Sequence, residues 1–112
     1  MWLMTEPYKL LENAEINIFE RDAPDGKVKI TDDGWTIDYL EERGIYLKYD
    51  HDKARQVVKI LKARNVETKN NEIFVITIPQ FKWEAKDKVE LAIAAILTTI
   101  IDDESYRSFE VD

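Results

Sequence analysis

A chain of 112 residues, 45% apolar and 35% charged, is large enough for one hydrophobic core and too apolar to be disordered. Its 23 acidic against 16 basic side chains give a formal charge of −7, the wrong sign for counterion-release binding to nucleic acid, though suited to solubility or to a basic partner. With no cysteine there are no disulfides and no thiolate metal sites, and the longest apolar run, Leu91 to Leu97, is far short of the ~20 residues of a membrane span.

The start, Met1-Trp2-Leu3-Met4-Thr5-Glu6, has neither a basic leader nor a long apolar stretch, so a cytoplasmic protein is expected. Abundant Lys and Glu with scarce Met and Gln form a bias of proteins from hot environments, and a thermophilic source is expected on that basis.

Residues 5 to 12 have the length of a helical turn, although Pro7 limits it. Ile16 and Ile18 then alternate with Glu15, Asn17 and Glu20, the period of a strand with one buried face. Ala23-Pro24-Asp25-Gly26 supplies turn chemistry, and Lys27-Val28-Lys29-Ile30 returns as the partner strand of a hairpin. Asp32 or Asp33 offers a carboxylate to the free N–H groups of a short helix that buries Ile37 and Leu40, and Gly44 is placed to end it. A second helix is expected from His51 to Arg64, with Asp50 as its N-cap and Ala54, Val57, Val58 and Leu61 as its buried stripe. Its basic C-terminal cluster, Lys59, Lys62 and Arg64, complements the helix dipole.

Val66-Glu67-Thr68-Lys69 and Glu72-Ile73-Phe74-Val75-Ile76-Thr77-Ile78 flank Asn70-Asn71, which tolerates the positive φ of a tight turn, so they predict a second hairpin. The nearly continuous apolar strand predicts a central position covered on both faces, ended by Pro79. The last helix, Lys82 to Ile101, carries Val89, Ala92, Ile93, Ile96, Leu97, Ile100 and Ile101 at three- and four-residue spacing. Ser105 to Asp112 is read either as an edge strand through Phe109 and Val111 or as a disordered tail. The order β-β-α-α-β-β-α predicts a small single-domain α+β sandwich over 1–112, in which two hairpins form a sheet packed by helices.

Thr31, Asp32, Gly34, Thr36, Ile37, Leu40 and Gly44 form the pattern Thr/Ser-Asp-x-Gly-x-Thr-apolar-x-x-Leu-x-x-Gly. With the second hairpin and the long apolar helix that follow, residues 13 to 104 resemble the uncharacterised family named domain of unknown function 1828. The resemblance implies the same order of hairpin, helices, hairpin and helix. It also implies a distribution in bacteria, archaea and mobile elements, and it brings no established activity or catalytic residues. Family chains usually carry a longer N-terminal helix and often a second C-terminal domain, so functions held in those parts are not carried over.

Asp32, Asp33 and Asp38, with Glu41 or Glu42 a turn on, have the donor type for Mg²⁺ or Mn²⁺, but a cap and a solvated helix face explain the same residues. Pro24-Asp25 with Glu67-Thr68-Lys69 superficially matches the acids and lysine of metal-dependent nucleases, yet both stretches flank turns. His51, the one histidine, stands at a helix start, and Gly26, Gly34 and Gly44 form no phosphate loop. No catalytic residue, metal or cofactor is therefore assigned.

Trp35 is the sharpest remaining feature, because it follows Gly34 in a helix whose core positions are taken by Ile37 and Leu40. With Tyr39, Tyr46 and the carboxylates Asp32, Asp33 and Asp38 it makes a candidate patch for a basic protein or for a second copy as a homodimer; packing against the hairpin is the alternative. The expected function is a non-enzymatic acidic protein-interaction module, an inhibitor or regulator linked to mobile elements or host defence. The rivals are a metal-dependent nuclease or hydrolase and a structural homo-oligomer subunit.

Overall fold

A computed structural model of the chain describes residues 1–4, 8–11 and 14–111, and the side chains of 1–4 and 16–101. Strands β1 (Trp2–Leu3), β2 (Tyr8–Leu11), β3 (Ala14–Ile16), β4 (Phe19–Asp22) and β5 (Val28–Thr31) precede α1 (Trp35–Glu42) and α2 (His51–Ala63). Then come β6 (Glu67–Lys69), β7 (Glu72–Thr77) and the long α3 (Lys82–Val111). Five strands form one antiparallel sheet in the order β1-β4-β5-β7-β6, while β2 and β3 pair separately. The molecule is a small α+β domain in which the β4–β5 and β6–β7 hairpins join through β5 and β7.

Register assigns the two faces of the sheet. Val28 pairs with Thr77 and Ile30 with Val75, so these side chains share one face with Ile73; Lys29 with Ile76 and Thr31 with Phe74 share the other. Helix α3 packs across β5 and β7, and α2 packs on α3 and β6. The α3 residues Val89, Ala92, Ile93, Ile96, Leu97 and Ile100 are fully buried with Ile30 and Ile73, which makes this one continuous core. Each fully buried isoleucine or leucine there contributes about 2 kcal/mol over leaving it in water.

Tight backbone geometry closes each local unit. Asn70 and Asn71 both take positive φ, 54° and 65°, between the paired Lys69 and Glu72. At the end of α1, Gly44 N–H donates to the Glu41 carbonyl at 2.9 Å and Ile45 N–H to that of Leu40 at 2.9 Å, a Schellman closure with Leu40 and Ile45 both buried. Helix α2 ends in the same way, with Asn65 at φ 56° in the glycine position and Val66 N–H donating to the Leu61 carbonyl at 3.0 Å.

Several expectations are corrected. Tyr8–Leu11 is a strand rather than helical turn, because it pairs with β3, and a four-residue window carries no periodicity to reveal that; residues 5–7 and 12 lie outside the described residues. The strand paired with β5 is Phe19–Asp22, whereas Ala14–Ile16 turns away to β2, although Ile16 and Ile18 are both buried. The buried stripe of α2 runs through Lys53, Val57 and Leu61, with Ala54 half-buried and Val58 39% exposed. Lys53 explains the turn of the helix: its stem goes inward and its ammonium reaches the Asp50 carboxylate at 3.1 Å. Strand β7 is interior to the sheet, yet Ile76 is 43% exposed, so its outer face is covered at one end only. Finally, the backbone of 105–111 continues α3, so the expected edge strand through Phe109 and Val111 is not formed, since a helix already nucleated propagates through a stretch without Pro or Gly.

Candidate functional site

The patch begins at the junction of β5 and α1. Asp32 has 0% exposure, and its carboxylate accepts from Gly34 N–H (2.9 Å), Thr36 N–H (3.0 Å) and, across the sheet, Ile73 N–H (2.9 Å). Its own N–H donates to the Ile73 carbonyl at 3.0 Å, so Asp32 extends the β5–β7 ladder while capping α1. Burial raises the Asp32 carboxyl above its ordinary value of 3.8, against the pull of the Ile73, Thr36 and Gly34 N–H groups. The Thr36 hydroxyl is buried beside it without a well-formed hydrogen bond among the described residues. Gly34 takes φ 83° directly after Asp33 at 54°, a left-handed pair that lets the chain leave the strand and enter the helix at once.

An ionic network covers the outer side of this junction. Arg21 Nη2 lies 2.6 Å from Asp33 Oδ1, and Lys29 Nζ lies 2.6 Å from Glu72 Oε1. The Thr31 hydroxyl donates to Glu72 Oε2 and accepts from Asp33 N–H at 2.9 Å. Burial works to raise the Glu72 carboxyl, but Lys29, Thr31 and Arg21 outweigh it and hold it below its ordinary 4.5. Lys29 also sits 4.7 Å from the centre of the Phe74 ring.

Helix α1 carries the aromatic part. Trp35 and Tyr39 are half-buried and stacked, with ring centres 4.9 Å apart and planes 14° from parallel, and the Arg43 guanidinium lies 4.8 Å from the Tyr39 ring centre. These three residues succeed one another at intervals of four, the spacing that aligns side chains along a helix. Asp38 and Glu42 are exposed beside them. After Gly44 the chain presents Tyr46, 44% exposed, and Tyr49, 76% exposed, with rings 6.3 Å apart. Arg43, Tyr46, Tyr49, Asp50 and Lys53 line a crevice of about 240 Å³ at this end.

The structure therefore brings Trp35 and Tyr39 together and leaves Asp38 and Tyr46 open, but it places Asp32 inside the protein, where it cannot face a partner. Asp33 is 40% exposed and already engaged by Arg21. Among the described residues no three acids or histidines stand together as a metal site. Asp25 lies in the turn after β4, while Glu67 and Lys69 lie on edge strand β6, separated from β5 by β7. His51 is exposed at the first position of α2. Arg43 is the neighbour of the patch that the sequence did not single out, and its four-residue spacing from Tyr39 is the signal for it; Tyr49, one of the aromatics whose burial periodicity does not dictate, adjoins Tyr46.

A protein-family profile, Domain of unknown function DUF1828, matches residues 7–97, which is most of the chain. The chain belongs to that family. The DUF1828 match spans the β5–α1 junction, α1, α2 and the β6–β7 hairpin, and it ends within α3. No curated protein and no solved structure gives a match. Among the described residues of this DUF1828 domain, no helix is long and apolar enough to cross a membrane.

Proposed function

We propose that this DUF1828 domain is a non-enzymatic protein-interaction module that engages a basic partner through the outer face of α1, and that it acts as an inhibitor or regulator by occupying that partner's surface. The Trp35–Tyr39 stack carries the reading. Its two rings rest against the core on one side and are held parallel before any partner arrives, so little side-chain freedom is lost on binding. Asp38 and Glu42 flank the rings with exposed negative charge, two acids against the one cation Arg43 that lies over Tyr39, a balance that favours a basic surface. Asp32, the most buried acid among the described residues, is occupied with three backbone N–H groups, which supports a structural task for it over a chemical one.

The test is capture of partners from nuclease-treated source lysate on the immobilised domain, in parallel with Trp35→Ala and Tyr46→Ala variants of unchanged circular dichroism. A stoichiometric protein held by the wild type and released by Trp35→Ala is the expected result. Retention of that protein by both variants would remove the α1 face from the reading.

A further inference from the structure

A crevice of about 210 Å³ lies where α1, the 3₁₀ turn Leu47–Tyr49, α2 and the β6–β7 hairpin meet, and each of the four supplies part of its lining. Buried Ile37 and Val57 form its floor with half-buried Leu47, and Val58, 39% exposed, stands in its α2 wall. Glu41 of α1, Lys48 of the turn and Thr68 of the hairpin add polar groups to the same lining. A mostly apolar hollow on which a few polar groups converge is the form of a small-molecule site, and a volume below the ~300 Å³ at which drug-sized sites begin suits a ligand of about ten non-hydrogen atoms. Ile37 and Glu41 follow Trp35 and Tyr39 by two positions each, and so lie about 200° round α1 from those rings. The crevice is therefore separate from the aromatic face and stands or falls independently of it.

The two charges of this lining are placed against the dipoles of their helices. Glu41 is in the last turn of α1, a turn without a basic residue, where the helix end is itself negative. Lys48 stands just before the Asp50 cap of α2, at the positive end of that helix. Both line one crevice, yet no ion pair joins them, and among the described residues Glu41 has neither an ion pair nor a side-chain hydrogen bond. The Lys48 ammonium lies 5.1 Å from the centre of the Tyr49 ring. An anion and a cation held apart beside an apolar floor match the ammonium, carboxylate and side chain of one small zwitterion. We propose that the crevice binds a free α-amino acid with an apolar side chain, its ammonium on Glu41, its carboxylate on Lys48 and its side chain on Ile37, Leu47 and Val57.

Titration of the labelled chain with free leucine, followed by amide shifts in nuclear magnetic resonance, tests it. The amides of Ile37, Leu47, Val57 and Thr68 should move together, with a Kd of about 1 mM or below. Two analogues dissect the recognition: 4-methylpentanoate lacks the ammonium and 3-methylbutylamine lacks the carboxylate, and each should bind at least about fivefold more weakly than leucine, because one charge of the site is then left without its partner. Glu41→Gln and Lys48→Met should each weaken leucine by a similar factor; Glu41 is half-buried and Lys48 exposed, and circular dichroism checks each fold. Absence of shifts with leucine, isoleucine and phenylalanine up to about 10 mM, or shifts confined to other residues, would overturn the site. An analogue that matches leucine, or a variant that keeps the full affinity, would overturn the zwitterion as its ligand.

Discussion

Helices α1 and α2 both begin after an aspartate and both close on a left-handed residue, yet they are held in different ways. At α2, Asp50 half-exposes its carboxylate and accepts from Lys53 N–H at 3.1 Å, one turn on in the same helix. At α1, Asp32 is fully buried and accepts from Ile73 as well as from its own helix, 41 residues away in sequence. One residue type thus serves as a local cap in one helix and as a staple between helix and sheet in the other. The difference lies in where the chain comes from: α1 leaves directly from the end of interior strand β5, whose next ladder position Asp32 fills, whereas α2 follows a short 3₁₀ turn at Leu47–Tyr49.

Removing the staple should have the largest effect. Asp32→Ala leaves three N–H groups without an acceptor, one of them in the interior of the sheet, and should cost about 4 kcal/mol in urea unfolding. Asp32→Asn should cost about half of that, since its one carbonyl oxygen can still serve Gly34 and Ile73. A cost near 1 kcal/mol for the alanine variant would reduce Asp32 to an ordinary cap and erase the contrast with α2.

The two helix ends sharpen the comparison. Gly44→Ala places a side chain at φ 83° and should lower stability by about 1 kcal/mol in thermal melts, although nothing lies within 4 Å to clash with it. The cost is then one of backbone conformation and not of packing.

A smaller effect, confined to acid, separates the part-buried ionic network from the staple. The Glu72 carboxyl is held low, so its contribution is present above its ordinary 4.5 and is lost as pH falls through its lower folded value. The stability gap between wild type and Glu72→Gln should therefore close on acidification below pH 4.5, as read by urea midpoints across pH. Asp32 has the opposite sign: raised by burial, it binds its proton more readily folded than unfolded, so its term weakens the fold as pH rises from 3.8 to its folded value. The smallest change is Asn65→Gly at the end of α2, which should stabilise by a few tenths of a kcal/mol because glycine enters the left-handed region without steric penalty.

Much of this architecture is legible in single residues. Asp50, Gly44, Asn70-Asn71 and the apolar stripe of α3 each state a local rule whose outcome depends on the nearest few residues, and each is found where the pattern places it. The candidate site was legible only in part. Trp35 and Tyr39 share a helix face by spacing alone, but Asp32 reads as surface charge until the Ile73 N–H is seen to claim it. The exposure of Val58 on α2 was hidden for a related reason: stripes through Ala54 and Val58 or through Lys53 and Val57 satisfy the same helical period, and an inward lysine is the less apolar choice.

The sequence by itself determined the three helices, the closures of α1 and α2, both tight turns and the single apolar core, since these follow from backbone sterics and periodicity within one element. Only the tertiary structure decided that Tyr8–Leu11 pairs with Ala14–Ile16, that Asp32 turns inward and that α2 shows Val58 to solvent. Those outcomes depend on which distant group fills a hydrogen bond or covers a side chain, and that information resides in contacts between elements, not within them.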